Sequence, residues 1–144
     1  MKHYSCTDLA GVPDFRAAEY SEKSSEYCLL IPVINEGARI LTELGRARKA
    51  GIDRLCDIVV CDGSSTDGSM SNDILPTYGV NTLLVKTGPG KQGAQLRMGF
   101  YFALQRGYKG VLTIDGNNKD SIEDVPEFIE KLQQGYDLVQ GSRF

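Results

Sequence analysis

The chain has 144 residues, 41% of them hydrophobic, which is enough for one domain with a real core and too little for two. Sixteen basic against nineteen acidic residues leave a net charge of −3, so the electrostatic footprint of a nucleic-acid binder is missing while local phosphate binding stays open. No apolar run approaches a membrane span and the first residues lack a signal peptide's hydrophobic region, so the expectation is a cytoplasmic chain, compatible with peripheral association at a membrane surface.

Residues 1–25 are polar, mixed in charge and without sustained periodicity, and read as an arm or surface-packed extension ahead of one domain over 26–144. Tyr27-Cys-Leu-Leu-Ile-Pro-Val33 is a near-continuous apolar run, as expected of a strand buried on both faces. A helix follows, in which Ile40, Leu41, Leu44 and Ala47 form an apolar stripe beside basic Arg48. Asp57-Ile-Val-Val-Cys61 is a second strand and Thr82-Leu-Leu-Val-Lys86 a third. The spacing of Leu96, Phe100, Ala103 and Leu104 predicts a helix over 89–106, and 110–115 reads as a fourth strand. Ser121 is placed to cap a helix carrying Ile122, Val125, Phe128, Ile129 and Leu132, with Pro126 in its tolerant early turns. Tyr136-Asp-Leu-Val-Gln140 reads as a fifth strand. Strands alternating with helices predict an α/β fold, a doubly wound and mostly parallel sheet with helices on both faces.

Cys6, Cys28, Cys56 and Cys61 show neither zinc nor redox spacing and are expected to be buried structural thiols. His3, the only histidine, lies in the polar arm, which argues against a histidine base.

In such a sheet a ligand sits outside the carboxyl ends of the strands. Those ends carry Asn35-Glu36-Gly37, then Asp62-Gly-Ser-Ser-Thr-Asp67-Gly68, then Asp115-Gly-Asn-Asn-Lys-Asp120, and finally Gly141-Ser-Arg143. Small residues admit a ligand close to the backbone, and carboxylates accept from hydroxyl or base N–H groups. Each piece also has a plain structural reading. Asn35 is a candidate helix cap, 62–67 and 115–118 are candidate turns, and Arg143 is a candidate solvated charge. What favours a ligand site is their conjunction on one sheet edge, since the amino ends show no comparable set.

The segments Leu29-Leu-Ile-Pro-Val-Ile-Asn-Glu-Gly, Ile58-Val-Val-Cys-Asp-Gly-Ser-Ser-Thr-Asp-Gly-Ser, Gly90-Lys-Gln-Gly-Ala-Gln-Leu-Arg-Met-Gly-Phe, Leu112-Thr-Ile-Asp-Gly-Asn and Gly135-Tyr-Asp-Leu-Val-Gln-Gly-Ser-Arg-Phe resemble family 2 glycosyltransferases of the GT-A fold. Within that group the likeness is to dolichyl- or polyprenyl-phosphate sugar transferases and related polysaccharide enzymes, in order and spacing over 27–144. The resemblance implies inverting transfer of a hexose from a UDP- or GDP-sugar to a lipid-phosphate or glycan acceptor. It implies that Pro32, Asn35 and Glu36 line the nucleotide pocket, that Asp62 binds base or ribose, and that Lys91 and Arg97 lie near the pyrophosphate or donor sugar. Asp115 would be the first carboxylate of the Asp-x-Asp motif and would hold Mg²⁺ or Mn²⁺ on the diphosphate.

Two departures stand out. The motif's third position is Asn117, a neutral amide, so metal binding requires charge from Asp120 or from the donor's phosphates. Members of the family also continue beyond the Gly-Ser-Arg-Phe segment into an acceptor half where the catalytic base resides, so the resemblance implies a truncated donor-binding portion and assigns no base here. A nucleotide-sugar-binding or docking module without turnover is the main alternative. The string Gly88-Pro-Gly90-Lys-Gln-Gly93 imitates a dinucleotide fingerprint, but it follows the third strand, contains Pro89 and is a poor NAD(P) site. It is a poorer P-loop, because Gln92 follows Lys91.

Overall fold

The structure, a computed structural model, describes residues 1–6, 11–118 and 121–134. Its strands are β1 (Lys2–Tyr4), β2 (Phe15–Glu19), β3 (Tyr27–Val33), β4 (Asp57–Asp62), β5 (Val80–Lys86) and β6 (Gly110–Thr113). Its helices are α1 (Ala38–Lys49), α2 (Ile52–Leu55), α3 (Gln92–Arg106) and α4 (Val125–Gln133). The sheet order is β1-β2-β5-β4-β3-β6. β5, β4, β3 and β6 run parallel, while β2 and β1 add antiparallel strands at one edge. The expected mostly parallel α/β sheet is therefore present. The fifth expected strand, 136–140, lies outside the described residues.

Alternation along the strands builds two cores. Leu29, Ile31 and Val33 of β3 join Ile58 and Val60 of β4 in one cluster, covered by Ile40, Leu44 and Ala47 of α1 and by Val125, Ile129 and Leu132 of α4. Cys28, Leu30, Val59, Cys61 and Leu84 point the other way, against Met98, Phe102 and Ala103 of α3. Each fully buried Leu or Ile contributes roughly 1.5–3 kcal/mol. Helices thus cover both faces. All four cysteines are buried free thiols, as expected, and burial pushes the Cys56 thiol up to about 12.

Three local expectations are corrected. The extension 1–25 supplies β1 and β2, short strands ordered by the pairing of β2 with distant β5 and of β1 with β2, which leaves no local periodicity. α3 turns a different face inward, burying Ala94, Gln95, Met98, Gly99, Phe102 and Ala103, while Phe100 and Leu104 are 37% and 76% exposed. The reason is close approach, because a Cβ on Gly99 would lie 2.8 Å from Cys61 Sγ and 2.9 Å from Leu30 Cδ1. The small-residue face lets the helix settle on the sheet. Ser121 precedes a short 3₁₀ turn (122–124) and makes no side-chain capping bond, and α4 begins only at Val125.

The order β5-β4-β3-β6 means the chain leaves β3 toward β4 on one side and returns to β6 on the other. The carboxyl ends of β3 and β6 therefore flank the topological switch point, where open α/β sheets hold ligands.

Candidate functional site

A cleft of about 330 Å³ opens at that switch point. Pro32, Ile34 and Glu36 after β3 form one side, Asp115–Asn117 after β6 another, and Gly90–Gln92 at the start of α3 a third. Each wall is held by identifiable bonds.

The loops after β3 and β4 are stitched to each other. Asn35 has φ 48°, its Oδ1 accepts from the Thr66 amide at 2.8 Å, and its own amide donates to Ser65 Oγ at 2.9 Å. It is not the helix cap, since Gly37 occupies the N-cap position and its amide donates to Asp67 Oδ2 at 3.0 Å. Asp67 also accepts from the Ser69 hydroxyl and amide, and those bonds hold its carboxyl below the usual carboxylate range. Asp62 is only 2% exposed and accepts from the Ser65 hydroxyl at 2.6 Å and the Ser65 amide at 3.0 Å. Burial raises its carboxyl pKa, with the Ser65 bonds opposing.

Gln95, 3% exposed, fixes the cleft's base by donating to Val33 O at 2.7 Å and Cys61 O at 2.9 Å. Both carbonyls sit where the parallel ladder of β3 and β4 runs out. One buried amide thus satisfies two strand ends.

The β6 loop is anchored from beneath. The Asn118 amide donates to Glu43 Oε1 at 3.1 Å, and its Oδ1 accepts from Arg46 Nη1 at 2.6 Å. Arg46 also grips Glu123 through two nitrogens, at 2.8 and 2.5 Å, which holds that carboxyl at about 2. Asn118 has φ 61°, a left-handed conformation that asparagine tolerates. Gly116 lies against β3 so closely that a Cβ would stand 2.4 Å from Val33 Cγ1. Across the cleft, Gln92 Nε2 donates to Asp115 Oδ1 at 2.7 Å, so α3 and β6 meet over the ligand space.

Comparison with known proteins gives the lineage of this arrangement. The chain is 32% identical over 117 residues to the glycosyltransferase AglJ of Haloferax volcanii, covering 81% of this chain and 36% of that protein. It is 32% identical over 117 residues to the undecaprenyl-phosphate mannosyltransferase of Micrococcus luteus, covering 79% of this chain and 46% of that one. It is 27% identical over 118 residues to the polyprenol monophosphomannose synthase of Mycolicibacterium smegmatis, at 81% and 44% coverage. The chain is a homologue of glycosyltransferases, two of which are named for polyprenyl-linked mannose. No family model matches it. This glycosyltransferase homologue spans less than half the length of the relatives it matches.

Of the residues singled out by sequence in this glycosyltransferase homologue, Pro32, Glu36, Lys91, Asp115 and Asn117 line the one cleft. Asn35 lies in the loop after β3 and Asp62 ends β4, and the side chains of both tie backbone of the loop after β4. Arg97 faces away, donating to the Gly11 carbonyl beside a second hollow formed with the extension. Asp120 and Arg143 lie outside the described residues. Sequence reasoning missed Lys86, Gln92, Gln95 and Gly116, which also line the cleft. The available signals were a lysine ending an apolar strand, and glutamines one turn apart at a helix start.

Proposed function

We propose that this chain is the donor-binding part of an inverting glycosyltransferase that transfers a hexose from a UDP- or GDP-sugar to a lipid-phosphate or glycan acceptor. The observation that carries the reading is the Asp115–Asn118 loop, anchored by Glu43 and Arg46 and aimed across the cleft at the start of α3. The names of the relatives, two of which specify polyprenyl-linked mannose chemistry, favour the lipid-phosphate acceptor.

Asp115 and the Asn117 amide offer hard oxygen donors at one wall, and no group of three or more His, Cys, Asp or Glu side chains able to hold a metal occurs among the described residues. That donor set fits an ion that arrives with phosphate oxygens, as Mg²⁺ or Mn²⁺ does with nucleoside diphosphates, better than a protein-only cage. When bound, the cation supplies Lewis-acid neutralisation of the departing diphosphate. Asp115 then orients the diphosphate, the stitched 35 and 62–67 loops hold the nucleoside end, and Gln92 keeps the Asp115 carboxylate turned into the cleft.

Transfer forms a bond from the acceptor oxygen to the anomeric carbon and breaks the bond from that carbon to the diphosphate, which leaves with the electron pair. A phosphate monoester oxygen is already largely ionised near neutral pH, its second pKa being about 6. A lipid-phosphate acceptor therefore needs less help from a base than a sugar hydroxyl does. No helix among the described residues is long and apolar enough to cross a membrane.

Asn117, standing where a second carboxylate was expected, favours one alternative, a module that binds the donor without turnover. Calorimetry with UDP- and GDP-sugars in the presence and absence of Mn²⁺, together with assay of donor hydrolysis, separates the two. Metal-strengthened binding with slow hydrolysis supports the enzyme. Metal-independent binding without hydrolysis supports the module, and tight NAD binding would overturn both.

A further inference from the structure

The cleft contains a cation that no motif accounts for. Lys86 ends β5, is only 9% exposed, and lines the cleft. Its ammonium donates to Gly88 O at 2.8 Å, and no salt bridge among the described residues involves it. An ammonium has three N–H donors and no acceptor, so with one spent on the Gly88 carbonyl two remain for whatever occupies the cleft. A charge drawn partly out of water without a counter-ion is costly, and an anion entering the cleft would offset that cost.

The surroundings say what kind of partner. α3 is a 15-residue helix that starts beside Lys86, with no acidic residue in its first turn and no side-chain cap. Its first amides and the positive end of its dipole add to the ammonium's field, and Lys91 stands at its N-cap. Asp115 lies on the opposite wall, engaged by Gln92. The cleft is therefore polarised, positive on the β5–α3 side and carboxylate on the β6 side. The ammonium side suits an anionic group and the carboxylate side a cation or hydroxyl donors.

We propose that Lys86 is a fixed, metal-independent anchor for a phosphoryl oxygen of the donor's diphosphate. The assignment rests on the donor-binding reading given above and goes beyond it in naming a residue outside the family-like motifs. A diphosphate has enough oxygens to face a cation at Asp115 and the Lys86 ammonium together. Part of the leaving group's charge is then met by the protein itself, which offsets the carboxylate that Asn117 does not supply. Lys86 sits below the 87–91 loop, whose Thr87 and Gly88 amides donate to Asp14 O at 2.8 and 3.0 Å, so the extension keeps its roof in place.

The test is calorimetry of UDP and GDP in EDTA with the 144-residue chain, its Lys86→Met variant and its Lys86→Arg variant, alongside uridine, guanosine and a soluble isoprenyl monophosphate. Lys86→Met is expected to weaken diphosphate binding roughly ten- to a hundredfold, as loss of a charged hydrogen bond does, and to leave nucleoside binding unchanged. Lys86→Arg is expected to retain most of the affinity. The melting temperature of ligand-free Lys86→Met should equal or exceed that of the wild type, because a buried unpaired charge has been removed. Equal UDP and GDP affinities in wild type and Lys86→Met overturn the assignment alone. So does a loss confined to the isoprenyl phosphate, which would make the anion the acceptor's. A wild type that binds neither diphosphate, with or without Mn²⁺, overturns the donor reading as well.

Discussion

Gly116→Ala is the sharpest mechanical probe of the cleft. The added methyl would stand 2.4 Å from Val33 Cγ1, 3.2 Å from Ile40 Cδ1 and 3.2 Å from the Pro32 carbonyl. Carbon atoms pack at about 3.5–4.0 Å, so something must move by roughly an ångström. Val33 cannot easily give way. It is 2% exposed, pairs with Asp62 in the ladder, and its carbonyl accepts from both the Gly63 amide and Gln95. The loop must therefore lift, carrying Asp115 with it. Gly116 does not have a positive φ, so the penalty is steric and not a strained backbone. Overpacking of this kind costs about 1–3 kcal/mol. An ångström of displacement at a site of reaction can cost about a hundredfold. Equilibrium denaturation should show the stability loss, and calorimetry with a UDP- or GDP-sugar and Mn²⁺ should show a parallel loss of affinity. A Gly116→Ala protein within about 0.5 kcal/mol of wild type and with unchanged donor affinity would refute the packing argument, that margin being the ordinary scatter of a neutral surface change.

Other sites give independent checks. Arg46→Ala removes the grip on Glu123 and the tether to Asn118. Because Glu123 is half exposed, the stability cost should be roughly 1 kcal/mol or less. The Glu123 carboxyl is lowered from 4.5 to about 2, so the Arg46 contribution should be full above about pH 5 and fade as pH falls toward 2, read by denaturation of both proteins across that range. Gln95→Leu takes its bond from the Cys61 carbonyl, while Val33 O keeps the Gly63 amide, and should destabilise by about 1–3 kcal/mol, measured by urea unfolding. Asp62→Ala frees Ser65 and loosens the loop stitched to Asn35, and calorimetry should register at least a tenfold loss of nucleotide affinity; unchanged affinity would remove Asp62 from the nucleotide site.

Much of the fold was legible because β3 and β4 are buried on both faces and so read as unbroken apolar runs. α3 was legible as a helix but not in its orientation. Its inward face is marked by Gly99, Ala94 and Gln95, residues that look like a poor core until the closeness of Cys61 and Leu30 is known. β1 and β2 were invisible because β2 takes its order from pairing with distant β5, and β1 from pairing with β2, not from local pattern. At the site, Asp115 and Asn117 were identifiable because a polar loop ending a buried strand has few structural uses. Asn35 and Asp62 carry the same signal, yet their side chains hold backbone in adjoining loops, and sequence does not separate a carboxylate that binds its own turn from one that binds a ligand. Arg97 sits nearly two helical turns beyond Lys91, and the packing of Gly11 against α3, which decides its direction, is a tertiary fact.

In the proposed function, Asp115 organises a donor diphosphate together with a divalent cation. Its most direct test is calorimetric titration of a UDP- or GDP-sugar into the wild-type chain and Asp115→Asn, each with Mn²⁺ and with EDTA. Mn²⁺ should tighten binding to the wild type and have little effect on Asp115→Asn. Equal tightening of both proteins by Mn²⁺ would contradict it.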